Sequence, residues 1–375
     1  MWYSIKMKKI ISVPLSRKEM KAWLQAQFST LDARLNALYA EQLAVNKTAD
    51  SRFIGYDFSE AIKLVDVSPG KKKYPALLYL DLLGWARPQH TFLPPGFDGC
   101  FLCVGYRGGA DYRDPVARQA WKTDHPIRVF NLWVGDQLRK FSFFPSNSPY
   151  LPSHFVIAEG VGKEHRHTPW QTDIRSLVQL AAQTDQYYVA QNSVFGASVP
   201  GHLHFQAFTF PQALPIEQAS TELIRTIEIG PNRLTFEKCI YPQSTLKVTI
   251  DNVAEINTGV FERLERIIGN YKDLNAANDV NIVAKKKGKE IEVYIFFIRP
   301  TNDPDREVSY GTASQRPLKR VPPGFVHSMG VMLRRCLEDE EYWQSESPVF
   351  SDILASYSAP PKQLEPLYNS LRGCE

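Results

Sequence analysis

The segment GASVPGHLHFQAF, residues 196–208, decides how the middle of this chain folds, because its second part alternates between polar and apolar residues. The polar set is His202, His204 and Gln206, and the apolar set is Leu203, Phe205 and Ala207. Successive side chains of a β-strand point to opposite faces of the sheet. The alternation therefore predicts a strand that is anchored in the core by its apolar face and lines a surface or cleft with its polar face. Two imidazoles and an amide on one face suit a structural hydrogen-bond network, a metal site, or a nucleophile with its supports.

The surroundings of this strand favour chemistry over packing alone. Gly196, Ala197 and Ser198 precede it, and their backbone N–H groups and the Ser198 hydroxyl are able to approach a phosphate closely. Asn192, at the end of the preceding predicted strand, is able to hydrogen-bond a sugar or phosphate oxygen. Five of the eight histidines also fall within one segment of the chain, namely His154, His165, His167, His202 and His204.

The pattern around the segment predicts strands that alternate with helices. A capping box at Ser16 and Glu19 starts a predicted amphipathic helix over residues 17–44. The chain from 60 to 135 is rich in Pro, Gly and aromatic residues, which favours loops and short strands. SHFVIA and YYVAQN then alternate as strands, and between them Thr168 and Pro169 predict the cap and first residue of a helix. We expect His154 to pack or to hydrogen-bond at the start of its strand.

The C-terminal half repeats this order loosely. It has predicted strands in LTFEKCIY and TLKVTID, a helix around GVFERLERIIGNY, a hairpin in NIVAKKKGKEIEVYIFFIRP and a helix around SMGVMLRRCLEDEEYW. The lysine run 285–289 lies at the hairpin tip, where a solvated turn is expected. The fold class is therefore α+β, with two pseudo-repeated halves. Residues 1–95 are predicted to form an N-terminal helix and a proline-rich lead-in, 96–215 the catalytic half, and 216–375 a second half without catalytic histidines, so at most one active site is expected.

The bulk composition excludes several function classes. The formal charge is only +4 over 375 residues, and the basic residues are spread out, which gives no argument for a nucleic-acid partner. The N-terminus lacks the features of a signal peptide, and the apolar stretch YPALLYLDLLGW is too short to span a bilayer and contains Asp81. We therefore expect a cytoplasmic protein with no membrane partner. Five scattered cysteines argue against a disulfide framework.

Three segments together resemble a known family. GASVPGHLHFQAF, the upstream FLPPGFDGCFLC, and the intervening SPYLPSHFVIAEGVGKEHRHTPW resemble the galactose-1-phosphate uridylyltransferase and dinucleoside-polyphosphate phosphorylase branch of the histidine-triad superfamily. The resemblance covers residues 95–215, and HLHFQAF is most similar to the GDP-hexose phosphorylases, including GDP-L-galactose phosphorylase. It implies an antiparallel sheet with packed helices.

The resemblance also implies a mechanism. His204, the second histidine of the motif, would attack the α-phosphorus of a nucleotide and release a phosphorylated leaving group, after which phosphate or a sugar phosphate takes the nucleotide. Gln206 stands where hydrolases of the superfamily carry a third histidine, and an amide donates a hydrogen bond but has no proton chemistry. Gly196, Ala197 and Ser198 would hold phosphates, and Asn192 would contact the nucleotide.

The expected substrate is a nucleoside-diphosphate sugar, with a GDP-hexose favoured. The spacing from Ser198 to His202 is one residue longer than in the uridylyltransferases, which disfavours UDP-sugar chemistry. The alternatives are a diadenosine-polyphosphate phosphorylase and a catalytically silent nucleotide-binding protein.

A metal site and no organic cofactor follow from the same resemblance. Cys100 and Cys103 form a C-x-x-C, which is ordinary zinc spacing for one end of a site. By resemblance, His167 or else His165, together with His202, would complete a structural zinc site. The alternative is that the cysteines are buried thiols and His202 only hydrogen-bonds.

Overall fold

The computed structural model of the protein describes residues 31–48, 62–64, 74, 78–81, 128–134, 137–146, 150–159, 172–193, 203–275, 278–298, 324–334 and 350–373. The helices are α1 (Leu31–Thr48), α2 (Ile174–Ala182), α3 (Thr258–Asp273), α4 (Phe325–Ser328), α5 (Phe350–Ser356) and α6 (Pro361–Arg372), with a 3-10 turn at Pro215–Gln218. The strands up to the candidate site are β1 (Ile62–Leu64), β2 (Leu78–Asp81), β3 (Arg128–Val134), β4 (Gln137–Pro145), β5 (Phe155–Glu159), β6 (Tyr188–Gln191) and β7 (His204–Phe208). The later strands are β8 (Thr221–Ile229), β9 (Asn232–Cys239), β10 (Thr245–Ile250), β11 (Asp279–Lys287), β12 (Glu290–Ile298) and β13 (Val331–Arg334).

Within the described residues, the main sheet has ten strands in the order β3-β4-β5-β7-β6-β11-β12-β10-β9-β8. Each neighbouring pair in it is antiparallel. Two runs of five strands share one topology, in which a helix follows the third strand and the fifth strand lies between the third and the fourth. The runs meet where β6 pairs with β11. The predicted α+β fold, with an antiparallel sheet, packed helices and two pseudo-repeated halves, is therefore confirmed.

The two faces of this sheet are covered differently. One face packs against the long helices, through residues such as Leu177 of α2, Leu264 of α3 and Leu364 of α6. The other face packs against residues 324–334, through Phe325 and Val331. Central strands are therefore buried on both sides, and β12 is buried continuously from Val293 to its end. Among the helices of the described residues, none combines the length and apolarity that crossing a bilayer demands.

Helix α2 begins later than the sequence indicated. Its N-cap is Asp173, which accepts a hydrogen bond from the Ser176 backbone N–H at 2.9 Å, so the predicted start at Thr168 and Pro169 is wrong. Asp173 also pairs with Arg139 of β4, and its backbone N–H donates to Gln191 Oε1 at 3.1 Å. The Asp173 carboxylate therefore has both Arg139 and the helix N-terminus as partners. An ionised carboxylate forms a stronger hydrogen bond with a helix N-terminus than a threonine hydroxyl does.

Helix α1 covers part of the predicted N-terminal helix and extends beyond its predicted end at residue 44. The predicted segment 17–30 lies outside the described residues. Leu31, Leu35 and Leu38 are buried at helical spacing. Asp32 accepts hydrogen bonds from the backbone N–H groups of 185 and 186, which fixes α1 against the turn before β6.

One prediction in the C-terminal half is wrong, and another is confirmed only in part. The predicted helix around 328–343 is, at 331–334, strand β13, which pairs in parallel with β2. Gly330, at φ 92°, ends α4 and turns the chain into that strand. The lysine run ends in the predicted exposed turn, at 287–289, but three of its lysines are paired. Lys285 Nζ donates to the Asp185 carbonyl at 2.8 Å, Lys286 lies 2.8 Å from the Asp185 carboxylate, and Lys287 lies 2.6 Å from Glu292.

Candidate functional site

The candidate site lies on β7, between β5 and β6. His204 is opposite Ala158 of β5, and Gln206 is opposite Ala190 of β6. Phe205 and Ala207 belong to the core under the helices, whereas Phe208 belongs to the core on the other face. The alternation predicted from the sequence is confirmed for residues 204–208, so the side chains of 204 and 206 share the face covered by residues 324–334.

The Gln206 amide is held by two donors. The Tyr150 hydroxyl lies 2.7 Å from Gln206 Oε1, and His154 Nε2 lies 2.6 Å from the same oxygen. Because Oε1 takes both bonds, the amide turns its Nε2 hydrogens away from Tyr150 and His154. The side chain at 206 is therefore presented as a hydrogen-bond donor of fixed orientation.

The protonation state of His154 supports this orientation. Burial lowers the pKa of His154 to about 4 against the opposing effect of its bond to Gln206, so the ring is neutral at pH 7. Its Nδ1 is buried and has no hydrogen-bond partner among the residues that the structure describes. A lone pair is cheaper to leave unsatisfied there than an N–H, so the proton belongs on Nε2, where it donates to Gln206. The expectation that His154 packs or hydrogen-bonds is confirmed.

A polar row crosses the sheet beside His204. The β6–β7 register, continued by two residues, places Asn192 opposite His204. Asn192 is buried, and its Oδ1 accepts a hydrogen bond from the Phe325 backbone N–H at 2.8 Å. The next residue, Ser193, donates its backbone N–H to Asn281 Oδ1 of β11 at 2.7 Å. The end of β6 is thus held by groups from the second half of the chain.

An aromatic wall closes this face of the sheet. Tyr150 meets His154 edge-on at a ring distance of 4.5 Å, and Phe325 stacks on Phe208 at 5.5 Å. Tyr188 also stacks on Phe208, at 5.1 Å. Because His154 is 1% exposed, its hydrogen bond to Gln206 is shielded from water and is stronger than one made in water.

Several predicted site residues lie outside the described residues. They are the candidate phosphate-holding residues Gly196, Ala197 and Ser198 and the candidate zinc ligands Cys100, Cys103, His167 (or His165) and His202. Of the predicted set, the structure places His204, Gln206 and Asn192 within one patch of the sheet. Sequence reasoning missed Tyr150 and Phe325, which are remote from the motif; the tyrosine in SPYLPSH, four residues before His154, was the available signal for the first.

Comparison with known proteins gives limited matches. A family model described as "Domain of unknown function (DUF4922)" matches residues 135–209, which include Tyr150, His154, His204 and Gln206. A search of curated proteins found no match. The crystal structure of yeast Ap4A phosphorylase Apa2 in complex with AMP is similar at 11% identity and a TM-score of 0.48, over 87% of this chain and 96% of that chain. A DUF4931 family protein from Bacillus cereus is similar at 12% identity and a TM-score of 0.28, over 42% of this chain and 81% of that chain.

Proposed function

We propose that this chain is a nucleotidyltransferase of the phosphorylase type, with His204 as its nucleophile. In the first step an imidazole nitrogen of His204 attacks the α-phosphorus of the donor. A P–N bond forms, the bond from the α-phosphorus to the bridging oxygen breaks, and a phosphorylated leaving group departs. In the second step an oxygen of an acceptor phosphate attacks the same phosphorus and the P–N bond breaks. The nucleotide is thereby transferred from one phosphate to another.

The observation that carries this proposal is the fixed amide of Gln206 beside His204. The first attack leaves negative charge on the non-bridging oxygens of the phosphoryl group. A donor that is already oriented toward those oxygens stabilises the charge without reorganising during the reaction. Tyr150 and His154 supply that orientation by occupying Gln206 Oε1 at 2.7 and 2.6 Å.

The choice of glutamine favours transfer over hydrolysis. Attack by water requires a base to remove a proton, and an amide does not ionise near neutral pH. His154 is a poor substitute base, because burial lowers its pKa to about 4. An acceptor phosphate is already an anion and needs no such help.

The favoured donor is a nucleoside-diphosphate sugar, a GDP-hexose first, with phosphate or a sugar phosphate as acceptor. This preference rests on the resemblance of HLHFQAF to the GDP-hexose phosphorylases. A diadenosine polyphosphate is the alternative donor, since the same two displacements at the α-phosphorus would release a nucleoside polyphosphate.

The remaining roles belong to the same proposal. Gly196, Ala197 and Ser198 would hold the donor phosphates. Asn192 would contact the nucleotide through its Nδ2, because its Oδ1 is taken by the Phe325 backbone.

The proposed zinc site would be structural. Its donor set is one that zinc prefers, two thiolates and two imidazoles, from Cys100, Cys103, His202 and His167 or His165.

The test is the intact mass of the protein after brief mixing with separate donors. The panel is GDP-mannose, GDP-glucose, UDP-glucose, ADP-glucose and diadenosine tetraphosphate. We expect the wild type to gain one nucleoside monophosphate from a GDP-hexose and to lose it on addition of phosphate. The adduct should be acid-labile, as a P–N bond is, and absent from the His204→Ala variant.

The outcomes separate the candidate functions. An adduct only from diadenosine tetraphosphate would replace the GDP-hexose by the dinucleotide as donor. An adduct that persists in His204→Ala would overturn the assignment of the nucleophile. Nucleotide affinity that survives His204→Ala, with no turnover by the wild type, would favour the catalytically silent binding protein.

A further inference from the structure

A cleft in the second half of the chain lies between the edge strand β8 and the helix α3. Its volume is about 310 Å³, within the lower range of small-molecule sites. The side chains that matter here are two apolar ones, three guanidinium groups and one carboxylate, and their net charge is +2. They belong to Ile227, Ile229, Arg225, Arg263, Arg266 and Glu262. We call this site the arginine cleft.

Both elements place their charged groups on the sides that face the cleft. Residues 225, 227 and 229 alternate along β8, so they share one face of the sheet. Arg263 and Arg266 are three residues apart on α3, and like charges at this spacing repel each other. Glu262, four residues before Arg266, offsets part of this repulsion. An anion bound between the guanidinium groups would remove the rest.

The guanidinium of Arg225 is held by the end of α6. Its Nη1 donates to the Leu371 carbonyl at 3.4 Å. Gly373 ends α6 at φ 78°, and a Cβ at this position would lie 2.6 Å from Arg225 Nη1, so the close approach requires glycine. A guanidinium has five N–H donors, and this bond therefore leaves most of them for a ligand.

Two nearby carboxylates do not neutralise the arginine cleft. Glu265 lies 3.5 Å from Arg175, which is outside the cleft lining. Glu228 lies between Ile227 and Ile229 in β8, so its side chain points to the opposite face of the sheet. The cleft therefore keeps an excess of positive charge, which attracts small anions.

We infer that the arginine cleft binds the phosphoryl group of a small molecule. Guanidinium groups offer paired N–H donors that match phosphate oxygens, and several of them around one anion give a specific site. In the sheet order, β8 is six strands from β7, which is about 29 Å at about 4.8 Å per strand. A ligand in the cleft would not touch His204. The cleft is thus a second site, and the inference does not rest on the proposed function.

The test is NMR of the side-chain Nε–H signals of full-length protein that carries isotope-labelled arginine. The probes are inorganic phosphate, AMP, GMP and adenosine, titrated at an ionic strength kept constant with chloride. The signals of Arg225, Arg263 and Arg266 are assigned by their loss in glutamine variants. We expect them to shift saturably with the phosphate-bearing probes and not with adenosine. A Kd for AMP or GMP at least about tenfold below that for phosphate would identify a nucleotide as the ligand, and equal Kd values would identify phosphate itself.

Point variants test whether binding occurs in the arginine cleft. Arg266→Gln removes an exposed guanidinium and should raise Kd about tenfold. Glu262→Gln removes the opposing carboxylate and should lower Kd about threefold. The control is Arg233→Gln, since Arg233 is an exposed arginine of β9 that lies 3.8 Å from Asp251 and outside the cleft lining. Its Kd should stay within about twofold of wild type.

Three results would overturn the inference. They are the absence of a saturable shift with every phosphate-bearing probe, an equal change of Kd in Arg266→Gln and Arg233→Gln, and the loss of the shifts in His204→Ala. The last result would place phosphate binding at the proposed active site. A wild type that forms no nucleotide adduct would overturn the proposed function alone, because binding in the arginine cleft is measured without turnover.

Discussion

The buried imidazole of His154 makes the free energy of unfolding depend on pH. Burial lowers the pKa of His154 from 6.5 to about 4. In the unfolded chain the ring takes up a proton as the pH falls below 6.5, while in the folded protein it stays neutral until about pH 4. The unfolded state therefore binds more protons across this window, and acidification favours unfolding. The stabilisation is complete above pH 6.5 and is lost as the pH falls toward 4.

The magnitude follows from the size of the shift. One pKa unit is worth about 1.4 kcal/mol, so the whole window accounts for about 3 kcal/mol of unfolding free energy, with about 2.5 kcal/mol lost by about pH 4.5. The comparison is with His154→Gln, which does not titrate and whose side-chain amide can still donate to Gln206 Oε1. Other titrating groups contribute to both proteins and cancel in the difference.

The assay is urea denaturation of both proteins, followed by tryptophan fluorescence, from about pH 7 to about pH 4.5. We expect the unfolding free energy of wild type minus that of His154→Gln to fall by about 2.5 kcal/mol over this range. A difference that stays constant within about 0.5 kcal/mol would refute the neutral, desolvated His154. It would also remove the reason for placing the proton on Nε2 and for the orientation of Gln206.

Two further predictions concern the amide and the metal. Gln206→Glu keeps an oxygen for Tyr150 and His154 but replaces the Nε2 donor by a negative charge. The single-turnover rate of adduct formation should therefore fall about 10²- to 10³-fold, with little change in thermal unfolding. A loss of rate below about tenfold would contradict the role of Gln206 as a donor to the phosphoryl oxygens. Metal analysis of the purified protein should find about one zinc per chain, lost in Cys100→Ser and Cys103→Ser. The control Cys239→Ser, a buried thiol outside the proposed ligand set, should keep the zinc.

Much of the sheet could be predicted because its strands have a local signature. The alternation in HLHFQAF predicts β7 and the face that His204 and Gln206 share, and the hairpin of β11 and β12 follows from two apolar runs around Gly288. Strands β4 and β8 were missed, and β3 lies within 60–135, where short strands were expected without defined positions. β8 forms one edge of the sheet and is mostly exposed, so the hydrophobic contrast on which periodicity depends is weak in this strand.

The error at 331–334 has a different cause. A short apolar run such as VMLR fits one turn of a helix as well as a strand, and only its pairing with β2, more than 200 residues earlier, decides between them. The partners of the site are remote in the same way. Tyr150 is 56 residues from Gln206, and Phe325 is 133 residues from Asn192. A sequence pattern identifies the motif, but it does not identify residues that are distant in sequence and contact the motif only in the folded protein.

The two halves of the chain share one topology, but a single active site is expected. The reason lies in the strand of the second half that corresponds to β7. By topology the counterpart of β7 is β12, and on the same face of the sheet β12 carries Glu292. Burial raises the pKa of the Glu292 carboxyl, but hydrogen bonds from Lys287, Lys247 and Tyr294 outweigh burial and lower the pKa. Glu292 is therefore an ionised group, with Lys287 at 2.6 Å and Lys247 at 2.9 Å. A carboxylate fixed in this way has no N–H or O–H to donate to a phosphate, and it carries no imidazole nitrogen of the kind proposed for His204. The neighbouring strand β11 contributes Asn281, whose Oδ1 accepts a hydrogen bond from the Ser193 backbone N–H at the end of β6.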